Sequence, residues 1–206
     1  YNLDGEPVDL PKGRRILVVG QVEDDASVLL GAGLTRTNQD LLQAARDANP
    51  NAVIAFKPHP DVEAGLRTGA FDAHDMADVV AVNADPLHLL AQVDEVWTIT
   101  STLGFEALLR RKPVTCLGMP FYAGWGLTQD LTKSPARRKA RPSLFGLGHA
   151  TLIGYPRYFD PALRRPCPPE VIVEQLSSGD LPRPGSSNRA LSKLQGLFAS
   201  AHPFWR

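Results

Sequence analysis

The sequence has little of what marks an exported, membrane-spanning or nucleic-acid-binding protein. Its 206 residues contain two cysteines, too few for a disulfide framework or for a zinc site built from cysteines alone. No stretch reaches the roughly 18 apolar residues that a membrane-spanning helix needs. Charge of neither sign is in excess, because 22 Lys and Arg balance 22 Asp and Glu, whereas nucleic-acid binders usually carry a basic surface. We therefore expect a cytoplasmic protein that does not act on nucleic acid.

The sequence does contain a regular alternation of strand and helix patterns. Five short runs rich in Val and Ile are almost continuously apolar, which is typical of strands buried on both faces of a sheet. They are Ile16–Val19, Ala52–Phe56, Asp78–Val82, Glu95–Thr100 and Val114–Leu117. Helical patterns lie between them: 38–48 behind the N-cap Thr37, Pro86–Gln92 and Thr102–Arg111. This order predicts an α/β fold, a Rossmann-like parallel sheet with helices on both faces, followed by C-terminal helices.

Composition divides the chain into four predicted parts. Residues 1–14 have a loop-like sequence and predict a linker that follows an upstream half. Residues 15–179 form the Rossmann-like domain, and its last part contains the helical patterns Leu144–Ile153 and Pro169–Leu176. Residues 180–188 are rich in Gly, Pro and Ser and predict a second linker. Residues 189–206 predict a terminal helix.

An acidic segment, Gln21–Asp25, follows the first predicted strand. In parallel α/β sheets the carboxyl ends of the strands bind ligands, so Glu23, Asp24 and Asp25 are candidate functional carboxylates. If the strand continues that far, side-chain alternation places Glu23 and Asp25 on one face. A solvated turn or a helix N-terminus explains the same acids without a ligand.

The second strand ends in Lys57-Pro58-His59-Pro60, in which two prolines fix the backbone around one imidazole. His59 is the only residue of Pro58–Pro60 with a main-chain N–H. A rigid histidine at the carboxyl edge of the sheet suits contact with a ligand. The alternative is a strand that simply ends at Pro-x-Pro, with a structural histidine in the loop.

The fourth strand runs into the hydroxyl residues Ser101 and Thr102, which begin a helix. Unpaired N–H groups and the positive end of the helix dipole make such a start suitable for a phosphate. Gly104 permits close approach of a ligand or backbone. Glu106 is outside the capping-box position, which leaves its carboxylate available, for example, to a ribose diol. A plain N-capped helix with a surface glutamate is the alternative.

Two further segments are candidates for contact with a sugar or an acceptor. The loop Gly118–Gly126 is dense in Gly, Pro and aromatic residues and predicts either a wall for a sugar or base, or a hydrophobic lid over the core. A basic run follows, which predicts a solvated face, a site for an anionic substrate, or a surface that meets anionic lipid. Its members are Lys133, Arg137, Arg138, Lys139 and Arg141.

These motifs, in this order, resemble the bacterial capsular-polysaccharide β-Kdo transferases of the KpsC type. The matching segments are Gln21–Asp25, Lys57–Pro60, Thr100–Leu108, Lys112–Val114, Met119–Gly126 and Tyr155–Pro161. The family has a GT-B-like architecture of two Rossmann-like halves, and this chain resembles the C-terminal, donor-binding half. The resemblance implies that the upstream half of the same enzyme is a partner and forms the other wall of the cleft.

The resemblance also implies a reaction: transfer of Kdo from CMP-Kdo to a Kdo-primed glycolipid of the phosphatidylglycerol type, with retention through double displacement. It implies Asp25 as the nucleophile, supported by Glu23 and Gln21. Nucleotide contacts are implied for Lys57, His59, Pro60, Ser101, Thr102, Gly104 and Glu106, with Glu106 at the ribose. We assign sugar or acceptor contacts to Tyr122, Trp125, Arg137 and Arg138. We expect no metal, because CMP carries a single phosphate, and we expect peripheral association with the inner membrane.

Two other functions fit parts of the sequence. A wall-polymer transferase that moves polyol phosphate from a CDP donor also shows a His-Pro pair and a Ser-rich strand–helix turn, but it does not need the acidic segment. A non-catalytic module would bind CMP without turnover. Titration of CMP, CDP and UDP separates these possibilities.

Overall fold

The computed structural model describes residues 5–179, so the predicted linker 180–188 and helix 189–206 lie outside the described residues. The described residues divide into two compact units, with the boundary between Gly148 and His149. The first unit contains the six-stranded sheet and the helices that connect its strands.

Six parallel strands form the sheet of the first unit, in the order β3-β2-β1-β4-β5-β6. The strands are β1 (Arg15–Val19), β2 (Val53–Lys57), β3 (Val79–Val80), β4 (Glu95–Thr98), β5 (Val114–Cys116) and β6 (Gln129–Asp130). This is the order of dinucleotide-binding Rossmann folds, in which the chain direction across the sheet reverses between β1 and β4. The predicted α/β fold with a parallel sheet is confirmed.

Three features of the sheet differ from the predicted strands. The run Asp78–Val82 forms a strand only at Val79–Val80, where it pairs with β2. The run Glu95–Thr100 forms a strand only to Thr98, because the backbone N–H of Thr100 donates to the side chain of Gln21 rather than to a neighbouring strand. Strand β6 was not predicted, since Gln129-Asp130 is polar and two residues long, and its pairing with β5 is formed by tertiary structure.

Helices connect the strands of the first unit, and side-chain caps define where several of them begin. They are α1 (Ala26–Gly31), α2 (Asn38–Ala48), α3 (Pro60–Glu63), α4 (Pro86–Gln92), α5 (Thr102–Leu109) and α6 (Leu144–His149). The caps of the first five are Asp25, Thr37, His59, Asp85 and Ser101, each of which accepts a hydrogen bond from a backbone N–H of its helix. These caps satisfy donors that have no partner within the helix.

Hydrophobic cores cover both faces of the sheet. Strand β1 shows the division: Ile16 and Val18 belong to the core that contains Leu41 of α2, whereas Leu17 belongs to the opposite core with Leu108 of α5. Successive residues of a strand point to opposite faces, and both sets are buried because helices lie on each face. The near-continuous apolar runs of the sequence follow from this double burial.

The described part of the predicted N-terminal linker packs against the first unit. Glu6 forms a parallel bridge with Ala84. Leu10 is buried, and its N–H donates to Oε1 of Gln92 at 3.0 Å. Residues 5–14 therefore extend the folded unit.

The second unit contains a π-helical turn, a two-stranded hairpin and one helix within its described part. The turn is Ala150–Gly154, the strands are β7 (Tyr158–Asp160) and β8 (Arg165–Cys167), and the helix is α7 (Pro169–Ser178). The predicted helix Leu144–Ile153 is thus α-helical to His149 and π-helical beyond it. The hairpin is closed by buried Asp160, which accepts hydrogen bonds from residues of the hairpin turn and from Gln175 of α7. Among residues 5–179, no helix is both long and apolar enough to span a bilayer.

Candidate functional site

Two neighbouring cavities lie at the carboxyl ends of β1, β2 and β4. The first cavity has a volume of about 280 Å³ and is lined by Lys57, Pro60, Asp85, Glu106 and others. The second cavity has a volume of about 600 Å³ and is lined by Gln21, Asp25, Arg67, Phe121 and others. His59, Ser101 and Thr102 line both cavities. The sequence-predicted histidine, hydroxyl residues and two carboxylates are therefore brought to one edge of the sheet.

The N-terminus of α5 stands where the two cavities meet. Oγ of Ser101 accepts from the N–H of Leu103 at 3.2 Å, and the N–H of Ser101 donates to Oγ1 of Thr98 at 3.0 Å. Thr102, the first helical residue, is exposed to both cavities. A helix N-terminus with a hydroxyl at its surface is a ready site for a phosphate or another anion.

Tyr122 supports this N-terminus from the core and lines neither cavity. Its side chain is fully buried, and its hydroxyl donates to the carbonyl of Ser101 at 2.6 Å. Burial raises the pKa of Tyr122 well above its ordinary value, so the phenol stays protonated. The assignment of Tyr122 to the sugar or acceptor is wrong, because the loop folds this aromatic side chain into the core.

Gly104 is explained by the same tyrosine. A Cβ at this position would collide with the hydroxyl of Tyr122 and would lie 3.0 Å from its Cζ. Gly104 is buried and lines neither cavity. The close approach that the sequence indicated is therefore an approach of helix α5 to the core side chain of Tyr122. The predicted contact of Gly104 with a nucleotide is not supported, because Gly104 lines neither cavity.

His59 is held by the start of α3 and faces both cavities. Its Nδ1 accepts from the N–H of Asp61 at 3.1 Å, which places the proton of the neutral ring on Nε2. Burial lowers the pKa of His59, although the carboxylate of Asp61 opposes this effect. The imidazole is therefore a neutral Nε2–H donor at neutral pH.

Lys57, a buried residue in the wall of the first cavity, forms an ion pair with Glu63, which does not line that cavity. Nζ of Lys57 lies 3.8 Å from Oε1 of Glu63, and neither atom has a hydrogen-bond partner within the described residues. Burial lowers the pKa of Lys57, and the carboxylates of Glu63 and Asp85 oppose this effect. Buried donors and acceptors without partners are uncommon in native folds, so this pair retains unused hydrogen-bonding capacity beside the cavity.

Asp25 is the N-cap of α1 and lines the second cavity. Its Oδ1 accepts from the N–H of Ser27 at 2.8 Å. Hydrogen bonds from Ser27 lower the pKa of the Asp25 carboxyl, so it is ionised at neutral pH. The cap fixes one oxygen of an exposed carboxylate at the rim of the cavity.

The other two acids of the segment point elsewhere. Strand β1 ends at Val19, so side-chain alternation does not extend to residues 23 and 25. Glu23 accepts from the N–H of Asn38 at 2.7 Å, and Asp24 pairs with Arg67 at 2.9 Å. Neither lines the first or the second cavity, and the structure separates Glu23 from Asp25, with which the sequence had grouped it.

Gln21 connects the ends of β1 and β4 beneath the second cavity. Its Oε1 accepts from the N–H of Thr100 at 2.8 Å, and its Nε2 donates to Oγ1 of the same residue at 2.9 Å. The residue is buried, and its backbone is bonded to the side chain of Asn38. Gln21 therefore positions the two loops that carry Asp25 and Ser101.

Within the basic run, Arg138 is half-buried against the 120–125 loop, whereas Lys133, Arg137, Lys139 and Arg141 are exposed. Nη1 of Arg138 donates to the carbonyls of Pro120 and Ala123, both at 2.6 Å, and the guanidinium lies 5.5 Å from the ring centre of Trp125. Arg138 therefore fastens the 120–125 loop, which is not the acceptor contact assigned from the sequence. Trp125 lines neither cavity, and Arg137 is exposed.

The lining residues that were not selected from the sequence include Asp85, Phe121 and Arg67. Asp85 caps α4 and lines the first cavity, and the Asp-Pro pair before a helix is a signal that could have identified it. Phe121 belongs to the aromatic loop and lines the second cavity, 5.0 Å from the ring of Phe105. Arg67 follows α3 in a loop without any motif, so local sequence gave no signal for it.

A family model described as a capsule polysaccharide biosynthesis protein matches residues 5–158. The chain belongs to this family. The capsule polysaccharide modification protein LipA of Neisseria meningitidis serogroup A is 44% identical over 213 residues, which cover 97% of this chain and 30% of LipA. The lipopolysaccharide-processing protein LpsZ of Rhizobium meliloti is 49% identical over 148 residues, which cover 70% of this chain and 33% of LpsZ.

Solved structures give the same family. A Thermosulfurimonas dismutans KpsC titled β-Kdo 2,7 transferase superposes with a TM-score of 0.74 at 39% identity, covering 84% of this chain and 56% of that one. A second, titled β-Kdo 2,4 transferase, has the same TM-score and coverage at 38% identity. The predicted KpsC-type membership, as the C-terminal half of a module, is confirmed. The chain spans about a third of the length of the curated relatives it matches.

Proposed function

We propose that this chain is the donor-binding half of a retaining β-Kdo transferase that uses CMP-Kdo. The observation that carries this proposal is the sharing of His59, Ser101 and Thr102 by two neighbouring cavities. A nucleotide sugar has the same layout, with a phosphate between a nucleoside and a sugar. The solved relatives named as β-Kdo transferases favour Kdo as that sugar.

The phosphate is assigned to the three shared residues. The start of α5 offers the positive end of a helix dipole, and Thr102 adds a hydroxyl. The neutral ring of His59 adds an Nε2–H donor. With the phosphate there, cytidine occupies the first cavity, where the carboxylate of Glu106 accepts from the ribose hydroxyls. The sugar then occupies the second cavity, which carries Asp25.

Double displacement needs a carboxylate that attacks the anomeric carbon. In the first step, an oxygen of Asp25 bonds to this carbon while the bond to the phosphate oxygen breaks, and CMP leaves with the electron pair. In the second step, an acceptor hydroxyl bonds to the anomeric carbon while the bond to Asp25 breaks, which restores the carboxylate, and the hydroxyl proton passes to solvent. Two inversions give retention. The ionised, capped Asp25 is suited to the first step because no proton must leave before it attacks.

The proposal includes partners that face this edge of the sheet. The upstream half of the module supplies the opposite wall of the cleft, and the acceptor is a Kdo-primed glycolipid of the phosphatidylglycerol type. Exposed basic residues such as Arg137 face anionic head groups when the protein lies at the inner membrane. No divalent cation is required, because a single phosphate is held by the helix start and His59.

Binding of nucleotides to the 206-residue chain tests the nucleotide site. In isothermal titration calorimetry we expect CMP to bind, and we expect His59→Ala to weaken it by about 1–3 kcal/mol, a typical cost for losing a hydrogen bond to a charged group. His74→Ala is the matched control, because His74 is exposed and lines neither cavity. Unchanged CMP affinity in His59→Ala would remove His59 from the site.

The same titration separates the alternative functions. Preference for CDP over CMP would favour a polyol-phosphate transferase. A chain that binds CMP is next fused to the part of the Thermosulfurimonas dismutans transferase that it does not cover, and it is assayed with labelled CMP-Kdo and a Kdo-terminated acceptor. CMP binding without transfer in a folded fusion would favour the non-catalytic module.

A further inference from the structure

The second cavity is lined by one Arg or Lys side chain, that of Arg67, among the residues that the structure describes. The same cavity carries two carboxylates, Asp25 and Asp61. In the second cavity, a ligand with a negative group therefore meets two carboxylates, which repel it, and one guanidinium, which attracts it. Arg67 is therefore the candidate partner in this cavity for a negative group of a ligand.

Backbone hydrogen bonds hold Arg67 between the acidic segment Gln21–Asp25 and the turn that begins at His59. The N–H of Arg67 donates to the carbonyl of Asp61 at 3.2 Å, which ties it to the turn that begins at His59. The next carbonyl, that of Thr68, accepts from the N–H of Glu23 at 3.2 Å. The loop is thus joined on one side to the histidine segment and on the other to the acidic segment.

The side chain of Arg67 is oriented by one partner and remains open to solvent. Nη2 donates to Oδ1 of Asp24 at 2.9 Å, and Asp24 also accepts from Oγ1 of Thr68 at 3.0 Å. The side chain of Arg67 is 41% exposed. A guanidinium has five N–H donors in a planar fork, so the bond to Asp24 fixes the plane without using the whole fork.

We propose that Arg67 forms a carboxylate subsite in the second cavity, which binds the carboxylate of the donor sugar. This assignment rests on the proposed function. In Kdo the carboxylate is bonded to the anomeric carbon, the atom that Asp25 must reach. A donor placed with its phosphate at His59 and its anomeric carbon at Asp25 therefore carries its carboxylate into the cavity that Arg67 lines.

Charge explains why such a subsite is needed. The carboxylates of Asp25 and Asp61 repel a sugar acid that also carries a phosphate, and like charges at short range oppose binding. The fork of Arg67 offsets this repulsion and matches a planar carboxylate, which Lys does not do in the same way. It also fixes the rotation of the sugar about the bond between the anomeric carbon and the carboxylate.

Comparison of two ligands in three proteins tests the subsite. The ligands are CMP-Kdo and its carboxamide analogue, and CMP alone serves as the reference. The proteins are the wild-type chain, Arg67→Met and the matched control Arg36→Met, whose arginine is exposed and lines neither cavity. Affinities are measured by competition against a fluorescent CMP derivative, and thermal unfolding checks that each variant is folded.

We expect Arg67→Met to bind CMP within about twofold of wild type and CMP-Kdo roughly 10- to 100-fold more weakly, as for a lost hydrogen bond between charged groups. The carboxamide should bind wild type and Arg67→Met alike, and Arg67→Lys should be intermediate for CMP-Kdo. If Arg67→Met weakens the binding of CMP-Kdo and of the carboxamide equally, or weakens the binding of neither, the carboxylate subsite is overturned while the nucleotide site stands. If wild type binds no CMP, the proposed function fails, and the subsite fails with it.

Discussion

The hydroxyl of Tyr122 donates to the carbonyl of Ser101 at 2.6 Å, so a buried core residue fixes the first turn of the helix that faces both cavities. This bond joins the aromatic loop to the hydroxyl segment across 21 positions of sequence. The shape of the candidate phosphate site thus depends on a side chain that no ligand touches.

Replacing Tyr122 by Phe tests this relationship. We expect the unfolding free energy to fall by about 1 kcal/mol, the net worth of a typical hydrogen bond, since the carbonyl of Ser101 keeps a second donor in the N–H of Gly104. CMP affinity should fall several-fold, because the helix start is less fixed. Urea unfolding and calorimetry measure the two effects. Tyr155→Phe, at an exposed tyrosine, is the control, and equal values in both variants would contradict the positioning role.

Gly104→Ala tests the close approach between helix α5 and Tyr122. The added Cβ meets the tyrosine hydroxyl, and overpacking of this kind costs on the order of 1–3 kcal/mol. In the Gly104→Ala/Tyr122→Phe double variant the clash is relieved, so the combined loss should be smaller than the sum of the single losses. Gly146→Ala is the control, since its Cβ would lie at an ordinary 3.4 Å from Ser143. Additive losses would mean that the two positions are independent.

The pH dependence of stability should contain a contribution from His59. Burial lowers the folded-state pKa of His59 below the value of about 6.5 of an unfolded chain, so the folded protein binds fewer protons than the unfolded one. The contribution is fully present above pH 6.5 and is lost as the pH falls through 6.5 towards the folded pKa. His59→Asn, which keeps a capping side chain, should lose less stability than wild type between pH 7.5 and 5.5 in urea unfolding. Parallel curves for the two proteins would exclude this effect.

Asp25→Asn should separate binding from transfer. Asn is a good N-cap, so α1 should remain folded, and CMP affinity should stay within about twofold of wild type because Asp25 lines only the second cavity. Transfer in the fused module should be lost, since an amide does not attack the anomeric carbon. Asp75→Asn, at an exposed residue outside both cavities, should keep full activity.

The covalent intermediate gives an independent measurement of the same step. Native fused module incubated with CMP-Kdo should gain the mass of one Kdo, and peptide mapping should place it on residue 25. An adduct on Asp24, or full activity of Asp25→Asn, would overturn the assignment of Asp25 as nucleophile.

Removal of divalent cations should leave CMP binding unchanged. The proposed phosphate contacts are the start of α5 and the ring of His59, which supply hydrogen bonds and a positive dipole end without a metal. Calorimetry in EDTA and in magnesium should give affinities within about twofold of each other. A loss of binding in EDTA that magnesium restores would show that a cation completes the site.

Local signals in the sequence account for most of the fold. The apolar runs of β1, β2, β4 and β5 are buried on both faces, and the starts of α4 and α5 carry the capping residues Asp85 and Ser101. Strand β6 and the β7–β8 hairpin gave no such signal. Their residues are largely polar or exposed, so their pairing depends on tertiary structure rather than on periodicity.

The candidate site was predictable where a residue follows a strand directly. His59 and Ser101 lie just beyond the ends of β2 and β4, and Asp25 lies in the segment that joins β1 to α1. The parallel sheet gathers these segments at one edge. Tyr122 and Arg138 were assigned to ligands, but an aromatic ring or a guanidinium can equally well contact the protein's own backbone. Only tertiary packing decides between a ligand contact and an internal contact. Arg67 was missed for the opposite reason, since backbone bonds to Asp61 bring it to the cavity from a loop without a motif.

The sharing of His59, Ser101 and Thr102 by both cavities limits how related chains can diverge. A substitution at any of these three residues alters both cavities at once. The preference for a nucleotide therefore cannot change at these positions without also changing the preference for a sugar. Glu106 lines only the first cavity, and Asp25 lines only the second. Residues that line only one cavity can therefore change to suit a new nucleotide or a new sugar. The three shared residues are expected to vary least among related chains.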